Sequence, residues 1–319
     1  MAIGQIFHII HMTDDLPALE AWYDDVFSVR RGFLDHNYMP GEKRDASLVL
    51  LGDTVIEPLA PAFRVEGWDA MPLGRFYNRF GRHWHSIAWY TDDAGDMWQR
   101  CTDAGIRVFV EGGRMTAERP GPNSAIMTHP KDTITQLEFF NPEGSQVGTM
   151  DPRSNGSDFD PEWWIKNHPV KTPGLAYTTV LTKDLNRATG VFAGVLGGEL
   201  LHKGSSSLTG TDDAYVQIGD TVVQLSAPNT GGTLAAADLA ANGEIHHAAA
   251  FRVRDLDAVQ AYFETKGITT LDRDEHTLIT DPATTHGALF RWTTWDVPGG
   301  PRDTSAAGNA AASGHRETL

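Results

Sequence analysis

The chain has 319 residues, 40% of them hydrophobic and 21% charged, enough for one large domain or two of ordinary size. Its net charge of −16 repels a phosphate backbone and excludes an electrostatic footprint for nucleic acid. A single cysteine, Cys101, excludes an internal disulfide and a thiolate cluster, and MAIGQIFHII lacks the basic region and apolar core of a leader; a cytoplasmic protein with no membrane partner is the expectation.

Residues 4–13 read as a strand from their density of isoleucine, and an amphipathic helix follows from Asp15. Leu16, Leu19, Tyr23, Val26 and Phe27 recur at helical spacing, with Asp14 or Asp15 as N-cap and Pro17 in the first turn. A second strand covers 48–57. The pattern recurs over 85–140, where Ala94, Met97, Trp98, Cys101 and Ala104 form the apolar stripe of a helix opened by Asp92; Cys101 is a core residue on this reading. A third copy opens at 174–198, and its GDTVVQLSAP (219–228) nearly repeats GDTVIEPLAP (52–61). A fourth runs from 246 to 295. Four copies of one βαβββ-like unit predict an α+β chain of two modules, 1–150 and 173–300. Residues 151–172 form a linker whose Trp163 and Trp164 pack across a module surface, and 301–319 form a disordered tail.

His8, Glu57, His85 and Glu138 occupy matching places in the first two copies. His8 and His85 each stand seven residues before an aspartate, Asp15 and Asp92, while Glu57 and Glu138 each end an apolar strand before a proline turn. Strand alternation puts His11 on the face opposite His8 and places Trp89 and Phe140 on the ligand faces. Burying unpaired carboxylates is expensive, and a divalent cation removes that cost. Two imidazoles and two carboxylates without thiolate suit Fe, Mn, Co, Ni or Zn, with one or two positions left for water or substrate. In the later copies Tyr177, Gln224, His247 and Arg291 fall at the corresponding places, so the second module keeps one strong ligand. His36, Tyr38, Trp89 and Phe140 are candidates to line a pocket, and Arg75, Arg79 and Arg82 form a basic cluster suited to a substrate carboxylate or phosphate.

The Glu138-Phe139-Phe140-Asn141-Pro142 strand end, the DTVIEPLAP segment and the repeated His-to-Asp spacing resemble the vicinal oxygen chelate superfamily, the group of glyoxalase I, methylmalonyl-CoA epimerase, extradiol dioxygenases and bleomycin-resistance proteins. The resemblance covers nearly the whole chain. It implies that each pair of units curls into an eight-stranded, incompletely closed barrel, the first around one divalent metal. A metal with two open positions takes a substrate through adjacent oxygens and stabilises an enolate, with Glu57 or Glu138 as general base. The expectation is a metal-dependent isomerase, epimerase or lyase acting on a small organic substrate. The alternatives are an Fe(II) extradiol-type dioxygenase using His8, His85 and Glu138, and a non-catalytic small-molecule binding protein. A homodimer, with the second module supplying an interface, is compatible with the same reading.

Overall fold

The computed structural model describes residues 2–110, 113–143, 146–155 and 159–303, so nearly all of the expected tail lies outside the described residues. Strands β1 (Ile3–Met12), β2 (Arg30–Met39), β3 (Arg44–Leu51), β4 (Thr54–Pro61), β5 (His83–Thr91), β6 (Val108–Val110), β7 (Arg114–Met115), β8 (Ala125–Thr128) and β9 (Gln136–Phe140) make one sheet. Its order is β2-β3-β4-β1-β5-β9-β8-β6-β7. The second sheet contains β10 (Gly174–Leu181), β11 (Glu199–Ser206), β12 (Thr211–Ile218), β13 (Thr221–Pro228), β14 (Ile245–Arg252), β15 (Thr270–Arg273), β16 (Thr277–Thr280) and β17 (Leu289–Thr293), ordered β11-β12-β13-β10-β14-β17-β16-β15. Apart from the two-residue β7, the two orders coincide, as four copies of a βαβββ unit require. At the middle of each sheet two first strands run antiparallel, β1 with β5 and β10 with β14. Each is flanked by the parallel last strand of its own unit.

The helices follow from local chemistry. In α1 (Leu16–Phe27) the Asp15 carboxylate accepts from the Ala18 N–H at 3.0 Å and Leu16, Leu19, Tyr23, Val26 and Phe27 are buried, as their spacing predicts. Helix α2 (Pro72–Phe80) precedes β5, and α3 (Ala94–Asp103) follows it. The cap of α3 is Asp93, not the expected Asp92. The spacing from histidine to cap is therefore one residue longer than in the first unit, and a register shift in β5 near His85 accounts for it. Cys101 is buried in the core.

The repeated GDT turns tie the two sheets together. Asp53 N–H donates to the Pro173 carbonyl at 2.9 Å, and the Thr54 hydroxyl oxygen accepts from Leu175 N–H at 2.7 Å. In the other half, Asp220 accepts from Ile6 N–H at 2.7 Å. Each turn thus caps the first strand of the opposite module. Gly219 holds φ at 58°, and a Cβ there would run into the Gly4 carbonyl. The segment between the sheets packs as expected: the indole N–H of fully buried Trp164 donates to Phe27 O at 2.8 Å. One continuous apolar cluster joins both modules, with Trp84 stacked on His246 and Phe27 on Trp292.

His11 belongs to this contact. Its Nε2–H donates to the His286 carbonyl at 3.2 Å, so Nδ1 accepts from the Tyr23 hydroxyl at 2.8 Å. Burial holds His11 down to about 3 and His168 to about 4, and pushes His246 well below its ordinary value. These histidines are folded in their neutral form, so their stabilisation is complete above about pH 6.5 and is lost as pH falls towards 4, by up to about 1.4 kcal/mol per pH unit for each group.

Two outcomes follow. Gly219→Ala lowers stability by roughly 2–4 kcal/mol in chemical denaturation, because the turn must shift off Gly4. The melting temperature falls between pH 7 and pH 5, and His168→Gln flattens that dependence; a curve unchanged by the substitution would refute the assignment.

Candidate metal centre

The register of the central strands brings the four predicted residues together. His8 lies opposite Ala88, which lies opposite Glu138, so an imidazole on β1 and a carboxylate on β9 flank one methyl group on β5. Neighbouring strands are about 4.8 Å apart, and only a small residue in the middle lets the two longer side chains meet across it. Glu57 on β4 lies opposite Ile10, two residues along β1 from His8. Simple alternation from Ile87 and Trp89 would turn His85 away from this face. The bulge between the Ile9–Ile87 and His11–Trp84 pairs resets it, and His85 joins the same group of charges as Glu138, Arg44 and His8.

All four side chains are buried, between 4% and 7% exposed. His8 Nε2 lies 3.2 Å from Glu57 Oε2 and 3.8 Å from Glu138 Oε2, yet neither nitrogen of His8 makes a hydrogen bond. The other oxygen of each carboxylate is held from outside. Arg44 Nη1 donates to Glu57 Oε1 at 2.7 Å, while the Ser86 hydroxyl and the Gln136 amide donate to Glu138 Oε1 at 2.6 and 2.9 Å. Because Ser86 gives its hydrogen to Glu138, its oxygen accepts from His85 Nδ1–H at 3.0 Å, which leaves His85 Nε2 as the lone-pair nitrogen. Burial alone would raise Glu138, but His8, Ser86 and His85 outweigh it and hold the carboxyl down at about 2. Burial lowers His85 to about 4 against the pull of Glu138.

As the side chains stand, no three His, Cys, Asp or Glu groups among the described residues are set around a common point as an ion's ligands are. The donor chemistry nevertheless fits a divalent ion. Two carboxylates face one guanidinium and two imidazoles in a buried space, both free carboxylate oxygens turn to the unbonded His8 Nε2, and the outer partners fix tautomer and carboxylate orientation.

No family model matches the sequence, and no curated protein does. Among solved structures, a triple mutant of 4-hydroxymandelate synthase from Streptomyces coelicolor aligns over 99% of this chain and 100% of its own, at 13% identity and a TM-score of 0.65. Methylmalonyl-CoA epimerase from Mycobacterium tuberculosis aligns over 43% of this chain and 93% of its own, at 23% identity and a TM-score of 0.37. The Streptomyces coelicolor epimerase aligns over 37% and 94%, at 25% identity and a TM-score of 0.35.

The chain has the two-module vicinal oxygen chelate fold.

Within the first vicinal oxygen chelate module, Phe140 stands beside the centre, 6.1 Å from the His8 ring, with Phe7 at 4.3 Å and Phe76 edge-on to His85 at 4.4 Å. Trp89 does not stand there. It is fully buried on the opposite face, stacked on Phe139, because the bulge sets its strand position against Ile6 rather than in line with His85. Arg75 and Arg79 are exposed on α2, the first bonded to the Ala70 carbonyl and the second lying over the Phe80 ring, and Arg82 pairs with Asp14 at 2.6 Å. These arginines turn to their own helix and to a surface carboxylate, away from the four buried residues. His36 is exposed, 3.5 Å from Asp45. Tyr38 lines a cavity of about 860 Å³ between the β2–β3 hairpin and the loop before β8, a cavity that the four buried residues do not line. Glu42, at its wall, binds Arg44 Nε at 2.5 Å, so Glu42, Arg44 and Glu57 form a charged chain from the cavity to the centre.

Arg44, Ser86 and Gln136 are the contributors that sequence reasoning missed. Ser86 and Gln136 neighbour predicted ligands in sequence, but an arginine after a Gly-Glu-Lys turn reads as a solvated end of a strand. The strength of its pairing is open to a mutational cycle. Glu57→Leu alone leaves Glu42 as the remaining carboxylate on the buried Arg44 guanidinium and costs about 3 kcal/mol in chelator-treated protein. Combined with Arg44→Met, the loss is clearly smaller than the sum of the two single losses; strict additivity in urea denaturation would show that the pair is not coupled.

Proposed function

We propose that this protein is a divalent-metal-dependent isomerase, epimerase or lyase that moves a proton on a small organic substrate at the His8–Glu57–His85–Glu138 centre of the first module. The single observation that carries the reading is the orientation of the donors. Glu57 and Glu138 each turn one oxygen towards His8 Nε2 while the other is held from behind. His8, His85 and Glu138 would hold the ion, and Glu57 would complete the set. When bound, the ion supplies Lewis acidity that stabilises the enolate formed as a carbon next to a carbonyl loses its proton.

The residues of the chain divide the remaining work. Glu138, held down by His8, Ser86 and His85 and fixed by two donors on one oxygen, is a poor proton acceptor and serves as an anchor. Glu57 has one hydrogen-bond donor, Arg44, and its second oxygen faces His8 Nε2 at 3.2 Å. It is the carboxylate suited to take a proton at Oε2 and return it elsewhere, with Arg44 keeping the group in place throughout. Phe7, Phe76 and Phe140 exclude water from the space in which that transfer runs.

The Glu57–Arg44 pair also favours a second reading. A carboxylate committed to a guanidinium leaves two histidines and Glu138, a three-ligand set of the kind that carries oxygen chemistry on Fe(II). The two readings part on dioxygen. The proposed isomerase or lyase consumes none, whereas ring cleavage of a catechol by the iron-loaded protein registers on an oxygen electrode.

Metal analysis of the purified protein tests the centre itself. One equivalent of a divalent ion is expected, with Co(II) titration by visible absorption giving a weakening of roughly a hundredfold or more in His8→Ala and Glu138→Ala. Glu57→Gln weakens binding by about tenfold or less and removes proton exchange on the substrate. Equal Co(II) affinity in wild type and His8→Ala would end this proposal.

A further inference from the structure

The second module repeats the geometry of the first with other chemistry. Tyr177 lies opposite Ala250, which lies opposite Arg291, and Thr179 lies opposite Gln224. These rows reproduce His8–Ala88–Glu138 and Ile10–Glu57, so a cation stands where the first module has an acidic anchor. Arg291 is 2% exposed. Its Nη1 donates to Gln224 Oε1 at 3.0 Å and Thr179 Oγ1 at 3.3 Å, both neutral acceptors, and its Nε has no partner.

His247 holds the place of His85. Its Nδ1–H donates to Asp238 Oδ2 at 2.5 Å, and Asp238 is fixed from behind by the Asn242 amide at 2.7 Å. That contact sets the tautomer and leaves Nε2 as a lone-pair acceptor, which is buried and without a partner. Both His247 and Arg291 line a cavity of about 310 Å³ whose other walls include Leu208, Ile279 and Leu289. The hydrogen-bond acceptors of this buried guanidinium are neutral, and the nearby buried carboxylate of Asp213 is not in contact with it but bonded to Ser226; an anion placed directly on Arg291 would offset the cost of that arrangement. Asp272 at the same wall disfavours a doubly charged ligand.

We propose that the second module is a binding site in its own right, for a small monocarboxylate with an apolar body and a hydrogen-bond donor beside the carboxylate. The carboxylate pairs with Arg291, the donor meets His247 Nε2, and the apolar body lies against Leu208, Ile279 and Leu289. No bond is made or broken, and the site does not depend on the metal centre of the first module.

Calorimetric titration of the full chain with hexanoate, 2-hydroxyhexanoate and 1-hexanol tests this. Both acids bind, the hydroxy acid more tightly, and the alcohol gives no saturable heat. Arg291→Gln weakens both acids by roughly tenfold or more, and Arg291→Lys recovers part of the loss. His247→Phe erases the preference for the hydroxy acid. Should Arg291→Gln fail to fold, Asp238→Asn, which leaves the cavity wall intact, reduces the same preference by releasing the His247 tautomer. Glu57→Gln leaves all three titrations unchanged. Failure of both acids to bind at millimolar concentration, full affinity in a folded Arg291→Gln protein, or loss of binding in Glu57→Gln instead would overturn the proposal.

Discussion

Two carboxylates buried beside one guanidinium and two imidazoles set the terms for the first module. Glu57 and Glu138 are buried and need compensation there, and each is restrained on one oxygen, by Arg44 or by Ser86 and Gln136. Those restraints decide the rest. They aim the remaining oxygens at His8, fix the tautomer of His85, and separate a carboxylate held by two donors from one held by a single donor. A site assembled this way draws its order from the outer partners as much as from the four residues themselves.

The scaffold beneath it is a repeated solution to a packing problem. Antiparallel first strands at the middle of each sheet bring the starts of two units side by side, and a small residue on one of them, Ala88 or Ala250, gives space for longer side chains on its neighbours to meet. The same turn, Gly-Asp-Thr, then docks each module on the first strand of the other. The duplicated segment around it serves the join between modules as well as the strand that carries Glu57 or Gln224.

The two modules place different charges on the same backbone rows. In the first module Glu57 and Glu138 meet His8 at the middle of the sheet. In the second, Arg291 stands in the place of Glu138 and Gln224 in that of Glu57, and the two are hydrogen-bonded. The solved structure that aligns over the whole chain shares 13% identity with it, so the likeness lies in this backbone pattern, while chemistry is written by the few residues at the row ends.

Much of this was legible in the chain itself. The four copies, the apolar stripe and cap of α1, and the correspondence of His8, Glu57, His85 and Glu138 with Tyr177, Gln224, His247 and Arg291 all follow from short-range pattern, because strand and helix periods and turn chemistry are local properties. Other features were out of reach. Alternation placed Trp89 with the ligands, but a bulge of one residue, which leaves no mark in composition, turns it to the core and His85 to the site. Arg75 and Arg79 lie one helical turn apart on the exposed side of α2 and turn to the Ala70 carbonyl and the Phe80 ring, not to the four buried residues. Arg44 joins the centre, and His247 gains Asp238, through contacts between separate elements of the chain. The sequence by itself determined the repeated units and which side chains occupy equivalent places; the tertiary structure decided which faces those side chains take and which charges meet, because register and packing between distant strands are settled only when the sheets close.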